Sequence, residues 1–314
     1  MAGPLADPLP EGGTEPVAPG RIAPDFVAVV LSYNASASLA RVLRAIAAQT
    51  VRPARTIVVD NGSRDGSAAM VRADFPDVLL VALPENVGVG AGHRRGWEVA
   101  LGSDACEYVW SLEHDSYAEP GCLARLSSEA HRLTASGVRW GVINARAERD
   151  LTEATRAALE HEDAALGAVE RRRITFNAVV VRRSVIEELG FPREDFFVGH
   201  EDFEYSERLR RARYKVMYDE HAIVIHPTKG NRRHGVPTSV LRGFYSMRNA
   251  VYVDHAVRKD RGAALRWTAL TIASIVSTIV RDDRKLARSC ARAVALFDGL
   301  SGRLGRRDYW FLRS

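Results

Sequence analysis

Two apolar segments of the sequence end in acidic residues whose spacing suits metal and nucleotide chemistry. The segment RTIVVD ends at Asp60, and EYVWSL is followed by Glu113 and Asp115. Both segments predict buried strands. Carboxylates at i and i+2 after a strand can converge on a divalent cation that holds a diphosphate, and oxygen ligands suit Mg²⁺ or Mn²⁺. Asp60 can accept hydrogen bonds from a ribose or a base. The alternative is that these acids are polar loop residues and helix caps.

Two further residues extend this candidate chemistry into the second half of the chain. Asp202 lies near the start of a charged segment, 201–213, that predicts a helix. A carboxylate there can act as a general base toward a hydroxyl group, or it can simply complement the helix dipole. His226 ends the short apolar segment AIVI, and a neutral imidazole can complete a metal site. For a lone histidine, a structural role is the favoured alternative.

Two turn-rich segments predict close approach of a ligand to the backbone. Asn61 opens an Asn-Gly-Ser turn directly after Asp60. The segment NVGVGAGHRRG, which contains Gly88 and Arg94, has GxGxG spacing and therefore differs from the GxGxxG dinucleotide loop. It favours a helix N-terminus near a phosphate. The alternative is a glycine-rich turn with exposed arginines.

The elements that must position these residues alternate between strand and helix. This alternation predicts an α/β fold with a mainly parallel sheet and helices on both faces. Ligands of such sheets bind beyond the carboxyl ends of the strands. The predicted strands are 26–32, 55–60, 78–83, 107–112, 176–181 and 222–225, and the predicted helices are 38–49, 66–75, 92–101 and 201–213.

The composition bounds the class of protein. The chain has 314 residues, of which 46% are hydrophobic and 26% charged, so it is expected to be globular rather than disordered, collagen-like or coiled-coil. We find neither an apolar run of about 18 residues nor a signal-peptide pattern. Three scattered cysteines argue against a disulfide framework and favour a cytoplasmic location.

The sequence predicts three regions. Residues 1–24 hold six of the thirteen prolines and predict a flexible extension, with order beginning at Phe26. Residues 25–241 form the predicted catalytic domain. Residues 242–314 form a basic helical region with 15 basic and 6 acidic residues, a net charge of +9.

The basic region predicts either an anionic partner, a membrane or nucleic acid, or a solvated, arginine-rich helical face. Nucleic acid is disfavoured because aromatic residues are not interleaved with the arginines. Its apolar run, 267–280, is too short for a confident membrane span. It predicts either a helix at a membrane interface or a core or homodimer-interface helix, and the second is favoured.

In order, these segments resemble glycosyltransferase family 2, the inverting enzymes of the GT-A fold. The resemblance spans roughly residues 26–250 and is carried by VAVVLSYN, QTVRPARTIVVDNGSRDGS, ENVGVGAGHRRG, the strand with Glu113 and Asp115, HEDFEYSERLRRARYKV and AIVIHPTKG. It is nearest to rhamnosyl- and galactofuranosyltransferase-like members, in which an Arg-Asn pair such as Arg248-Asn249 follows. Two positions depart from the family pattern: Glu113 replaces an aspartate, and His93 stands where an asparagine is frequent.

The resemblance implies roles for individual residues. Asp60, Ser32 and Asn34 would hold the nucleotide, with Asn61, Gly88 and Arg94 nearby. Glu113 and Asp115 would bind the metal–diphosphate with His226 as a further ligand, and Asp202 would be the general base.

The resemblance also implies a substrate class. The donor would be a nucleoside-diphosphate sugar, UDP- or dTDP-linked, and the acceptor a glycan, a lipid-linked glycan or a small molecule. The enzyme would be cytoplasmic, or peripheral at the inner face of the membrane through residues 263–314. A non-catalytic sugar-nucleotide-binding module and a nucleotidyltransferase are the remaining alternatives.

Overall fold

A central β-sheet organises the computed structural model of the protein, which describes residues 21–148, 167–227, 239–281 and 285–312. Most of the predicted flexible extension, residues 1–20, lies outside the described residues. The strands run in the order β3-β2-β1-β4-β8-β6-β9-β5, with β7 paired to β9. They are β1 Arg21–Ser32, β2 Val51–Asp60, β3 Leu79–Ala82, β4 Tyr108–Glu113, β5 Tyr117–Ala118, β6 Trp140–Glu148, β7 Val169–Arg171, β8 Val179–Arg182 and β9 Lys215–Ile225.

The pairing directions divide the sheet into two halves. β1 pairs in parallel with both β2 and β4, and β2 pairs in parallel with β3. Strand β8 then runs antiparallel to β4 and β6, while β6 and β9 are parallel. The α/β class and the largely parallel sheet predicted from the sequence are therefore confirmed. The parallel half brings the carboxyl ends of β1, β2 and β4 to one edge.

Helices cover both faces of the sheet because successive strand residues point to opposite sides. The helices are α1 Ser36–Ala47, α2 Ser67–Asp74, α3 Val89–Leu101, α4 Cys122–Ala135, α5 Arg183–Leu189, α6 Glu201–Arg211, α7 Val240–Tyr252, α8 Ala263–Arg281 and α9 Lys285–Ser301. In β1, Ala28 and Val30 pack with α1 and α4, whereas Val27, Val29 and Leu31 join the core formed with α3 and α6.

The ends of several elements differ from the sequence prediction. β1 begins at Arg21 rather than Phe26, because residues 21–23 pair with 51–53 across a register break at Pro24 and Asp25. β9 begins at Lys215 rather than at 222 and runs through polar residues that hide the strand pattern. Asp219 accepts hydrogen bonds from two backbone N–H groups of the irregular stretch that follows it. Polar residues thus belong to the strand itself.

The C-terminal helices form a separate core beside the sheet. Phe244 and Tyr245 of α7 pack with the small residues Ala291 and Ala295 of α9 and with Phe311. All three cysteines are free. Among the described residues, none of the helices combines the length and hydrophobicity that a bilayer crossing requires.

Candidate active site

The carboxyl edge of the parallel strands brings three predicted site residues together. Ser32 is paired with Asp60 across β1 and β2, and Leu31 is paired with Glu113 across β1 and β4. Asp60 is 3% exposed and Ser32 is fully buried. The Ser32 hydroxyl and one Asp60 carboxylate oxygen have no hydrogen-bond partner in the described structure. Because unpaired buried polar atoms are costly, this pair suits the polar groups of a ligand.

The two predicted asparagines hold the loops around this edge. The Asn34 side chain accepts a hydrogen bond from the Arg64 N–H (2.8 Å), which fastens the turn after Asp60. Asn61 donates to the Gly88 carbonyl (3.0 Å) and accepts from the Val87 N–H (2.9 Å). Both side chains therefore hold neighbouring loops in place at this edge of the sheet.

The glycine-rich segment packs against protein rather than lying open. Gly88 has φ +96°, and a Cβ there would lie 2.5 Å from the Phe197 carbonyl oxygen, which also accepts from the Val89 N–H. A Cβ on Gly96 would lie 2.3 Å from the Val29 side chain, so this glycine lets α3 approach β1 closely. The segment thus sets helix–sheet spacing and contacts the loop that precedes α6.

Arg94 is engaged in ion pairs. Its guanidinium contacts Glu98 at 2.6 Å and also Glu194. These contacts raise the pKa of Arg94, with the Glu98 hydrogen bond as the largest cause. A phosphate would have to compete with two carboxylates for this side chain. The assignment of Arg94 to the donor site stays a prediction.

Asp115 and His226, which are distant in sequence, meet at the same edge. The Asp115 carboxylate lies 3.2 Å from His226 Nε2, and its other oxygen is buried without a hydrogen-bond partner. The antiparallel pairing of Tyr117 with Ile225 brings the two residues together. Within the described ranges, no three His, Cys, Asp or Glu side chains form a ready-made metal cage.

A buried histidine that the sequence analysis did not assign a role lies behind Glu113. His93 Nε2 is 3.9 Å from the Glu113 carboxylate, and His93 Nδ1 is 3.1 Å from the Ser111 hydroxyl. Trp97 donates to that hydroxyl, which leaves the Ser111 hydrogen free for Nδ1 and favours the proton on Nε2. Burial would raise the pKa of Glu113, but the nearby imidazoles of His93, His114 and His226 lower it overall. His93 thus faces Glu113 from the buried side of the site.

Two adjacent carboxyl groups at the start of α6 have raised pKa values. Burial raises the pKa of Asp202 to about 6, and the negative charge of Glu113 adds to this rise. Burial, together with the charges of Asp202 and Glu113, raises the pKa of Glu201 to about 8. The charge of Glu113 therefore acts on both carboxyl groups of α6. At neutral pH, Asp202 is ionised and can accept a proton, whereas the Glu201 carboxyl group remains protonated.

The loop before α6 is held in shape by the Arg248-Asn249 pair. Phe197 and His200 have φ values of +63° and +70°, a region that side chains disfavour. Arg248 and Asn249 are fully buried and donate to several backbone carbonyls of residues 195–199. They position the segment that carries Asp202. The sequence signal was the Arg-Asn pair, but its partners were not readable from the sequence.

Comparison with known proteins identifies the family. Residues 27–234, more than half of the chain, match the family model described as Glycosyl transferase family 2. The chain belongs to this family. The resemblance noted in the sequence is therefore confirmed, and this family 2 glycosyltransferase is an enzyme.

Its relatives include bacterial sugar transferases. It is 24% identical over 307 residues to the N-acetylglucosaminyl-diphospho-decaprenol L-rhamnosyltransferase of Mycobacterium tuberculosis (strain CDC 1551 / Oshkosh), covering 86% of this chain and 97% of the relative. It is 26% identical over 255 residues to galactofuranosyltransferase GlfT1 of the same strain, covering 72% and 81%. The match to succinoglycan biosynthesis protein ExoO of Rhizobium meliloti (strain 1021) is 31% identical, with 38% of this chain matching about a third of that protein.

A solved structure agrees on the GT-A architecture. The mannosyltransferase PcManGT from Pyrobaculum calidifontis, in complex with GDP-Man and Mn²⁺, superimposes with a TM-score of 0.53 at 15% identity. The superposition covers 91% of this chain and 89% of that protein. This family 2 glycosyltransferase therefore has the predicted fold.

Proposed function

We propose that the enzyme transfers a sugar, with inversion, from a nucleoside-diphosphate donor to an acceptor hydroxyl group. One observation carries this proposal: the loop that precedes Asp202 packs on the glycine-rich segment at the carboxyl edge, where the Phe197 carbonyl accepts from the Val89 N–H, and burial, helped by the charge of Glu113, raises the pKa of Asp202 to about 6. A base near this pKa is ionised at neutral pH and still able to take a proton. Asp60 and Ser32 at the same edge supply buried polar atoms for a nucleotide.

The reaction follows as a single displacement. Asp202 removes the proton from the acceptor hydroxyl while the oxygen attacks the anomeric carbon, and the nucleoside diphosphate leaves from the opposite side. Attack from the side opposite the leaving group inverts the configuration. Holding the donor and the acceptor together at one edge of the sheet supplies much of the rate enhancement.

A divalent metal fits the residues that would face the diphosphate. Asp115 has a buried oxygen without a partner and lies beside His226, and this oxygen–nitrogen donor set suits Mn²⁺ or Mg²⁺. Glu113 would add a third ligand. The metal, when bound, would neutralise charge on the departing diphosphate. A relative structure named with Mn²⁺ supports this assignment.

The donor nucleotide is proposed to be UDP or dTDP, and the acceptor a lipid-linked, glycan or small-molecule hydroxyl. The name of one relative includes a diphospho-decaprenol acceptor, and its match covers most of both chains. We therefore rank a lipid-linked acceptor first.

A donor-hydrolysis screen tests the proposed function. UDP-, dTDP- and GDP-sugars are incubated with the full chain, with Mn²⁺ or with EDTA, and the released nucleoside diphosphate is quantified. We expect slow release from one donor and none in EDTA. If no donor is hydrolysed but one binds tightly in calorimetry, and added acceptors produce no turnover, the chain is a sugar-nucleotide-binding module instead.

Helix α8 supports a proposed membrane contact because its exposed side is apolar. The Thr271 and Thr278 side chains are buried, whereas Leu265 is 79% exposed. The sequence analysis favoured a core or dimer-interface helix, but the structure excludes core burial of this apolar face, which points to solvent. Its exposed apolar side chains are Leu265, Leu270, Ile272, Val276 and Ile279. The region from Arg242 onward has a net charge of +9. We therefore infer that the apolar face of α8 lies on an anionic lipid surface, as expected of a cytoplasmic enzyme that binds the membrane peripherally.

Vesicle sedimentation tests the membrane contact. We expect the protein to sediment with vesicles that contain phosphatidylglycerol and to remain in the supernatant with neutral phosphatidylcholine vesicles. The Ile272→Glu/Val276→Glu variant should lose about tenfold or more in affinity, because two apolar side chains leave the bilayer. Leu79→Glu, on edge strand β3, is the control. A dimer in analytical ultracentrifugation that the double variant dissociates, without vesicle binding, would assign α8 to a homodimer interface.

A further inference from the structure

A basic cavity lies against α6, the helix that carries Asp202 near its start. Its volume is about 410 Å³, and its lining includes Arg172, Arg173, Arg210 and Arg258. Phe203, Ser206 and Glu207 of α6 form the rest of the wall. Residues 203, 207 and 210 recur at helical spacing, so they share one face of α6.

The cavity has more positive charge than its acidic group balances. Glu207 pairs with Arg258 at 2.9 Å and with Arg210 at 2.8 Å. Arg258 also pairs with Asp254. Arg172 makes no ion pair within the described part of the chain, and Arg173 stacks its guanidinium 4.3 Å from the centre of the Phe203 ring. Two guanidinium groups are therefore uncommitted to a carboxylate.

The cavity reaches the residue next to the proposed base. Phe203 follows Asp202 directly, and the positive charge of Arg173 lowers the pKa of Asp202 against the larger effect of burial. His200 lies against the Phe203 ring at 5.0 Å between centroids, and its Nδ1 is buried without a hydrogen-bond partner. A ligand in the cavity would thus contact the first turn of α6, the turn that carries Asp202.

We propose that this cavity binds a phosphate or diphosphate group carried by the acceptor. The inference rests on the proposed transferase function and narrows its acceptor class. Guanidinium groups bind phosphate oxygens in pairs of parallel hydrogen bonds, and several arginines around one cavity match a group with two or more negative charges. The anionic group in the cavity orients the acceptor so that its hydroxyl faces Asp202. A neutral glycan would leave the arginines without a partner.

Calorimetric titration with inorganic diphosphate in EDTA tests the cavity directly. Wild-type protein is compared with Arg172→Gln/Arg210→Gln and with Arg211→Gln, a control that changes an exposed arginine adjacent to Arg210 but outside the lining. We expect the double variant to bind at least about tenfold more weakly, since charge-assisted hydrogen bonds are lost, and the control to match wild type. Equal affinity in all three proteins, or no binding to wild type, would overturn the proposal.

Further experiments test whether loss of binding reflects misfolding and which kind of acceptor supplies the anionic group. Arg172→Glu removes no ion pair seen in the described structure and should show the same weakening with an unchanged melting temperature. Competition with a polyprenyl-diphosphate sugar and with a soluble sugar 1-phosphate distinguishes a lipid from a soluble source. A neutral octyl glycoside should not compete with diphosphate, and competition from it would contradict the proposal.

The readouts also separate this inference from the proposed function. Donor hydrolysis does not need the acceptor cavity, so it should be retained in the double variant. If the wild type hydrolyses no donor while diphosphate binding still depends on Arg172 and Arg210, the transferase proposal fails and the anion site stands. If donors are hydrolysed but diphosphate binding does not depend on Arg172 and Arg210, the transferase proposal stands and the anion site fails.

Discussion

Asp202→Asn is expected to lower the rate of sugar transfer by about 10²–10⁴-fold, the usual contribution of a general base. Asparagine keeps the shape of the side chain but cannot take the acceptor proton. Donor affinity should change little, because the proposed nucleotide contacts lie at Asp60 and Ser32. The measurement is kcat for transfer, together with donor affinity by calorimetry.

The adjacent residue supplies the matched control. Glu201 has a pKa raised to about 8, so it is protonated at pH 7, and Glu201→Gln mimics its neutral form. We expect a change of only a few-fold in this variant. A loss of rate as large as that of Asp202→Asn would show that Glu201 and Asp202 carry out the proton transfer together.

The pH profile gives an independent check of the same assignment. The pKa of Asp202 is raised to about 6 by burial first and by the charge of Glu113 second. Because the ionised form is the active one, kcat/KM should be level above this pH and fall about tenfold per unit below it. An acid limb that persists in Asp202→Asn would assign the titration to another group.

Metal withdrawal is the second large expected effect. Asp115→Asn, or EDTA with the unchanged protein, should lower transfer by about 100-fold or more, since a bound cation stabilises charge on the leaving diphosphate. The variant should also need a higher Mn²⁺ concentration for half-maximal rate. Asp104→Asn, in the exposed turn after α3, is the control and should behave as the unchanged protein. Full activity in EDTA would assign the leaving-group role to the protein's own cations.

Part of the site was predictable because parallel strands end at a common edge. The alternation of apolar strands and amphipathic helices predicted the sheet. From the sheet followed the positions of Asp60 and Glu113 at the carboxyl ends of β2 and β4. In the structure, Ser32 at the end of β1 pairs with Asp60 at the end of β2, as a common carboxyl edge requires.

Other parts depended on contacts that no local pattern contains. The meeting of Asp115 and His226 requires β5 to pair with β9. The effect of the Glu113 charge on the pKa of Asp202 requires α6 to pack on the sheet. Arg94 had the type and spacing of a phosphate ligand, yet two carboxylates already engage it. Residue type alone does not reveal such competition.

By itself, the sequence determined the fold class, the family and the strand ends that carry the acidic residues, because periodicity and motif order are local properties of the chain. The tertiary structure alone decided which charged groups act on one another and which helix faces remain exposed. It raised the pKa of Asp202, surrounded one cavity with arginines and turned the apolar side of α8 outward. The physical reason is that a pattern specifies the polarity of each face of an element, whereas burial and charge depend on what packs against that face.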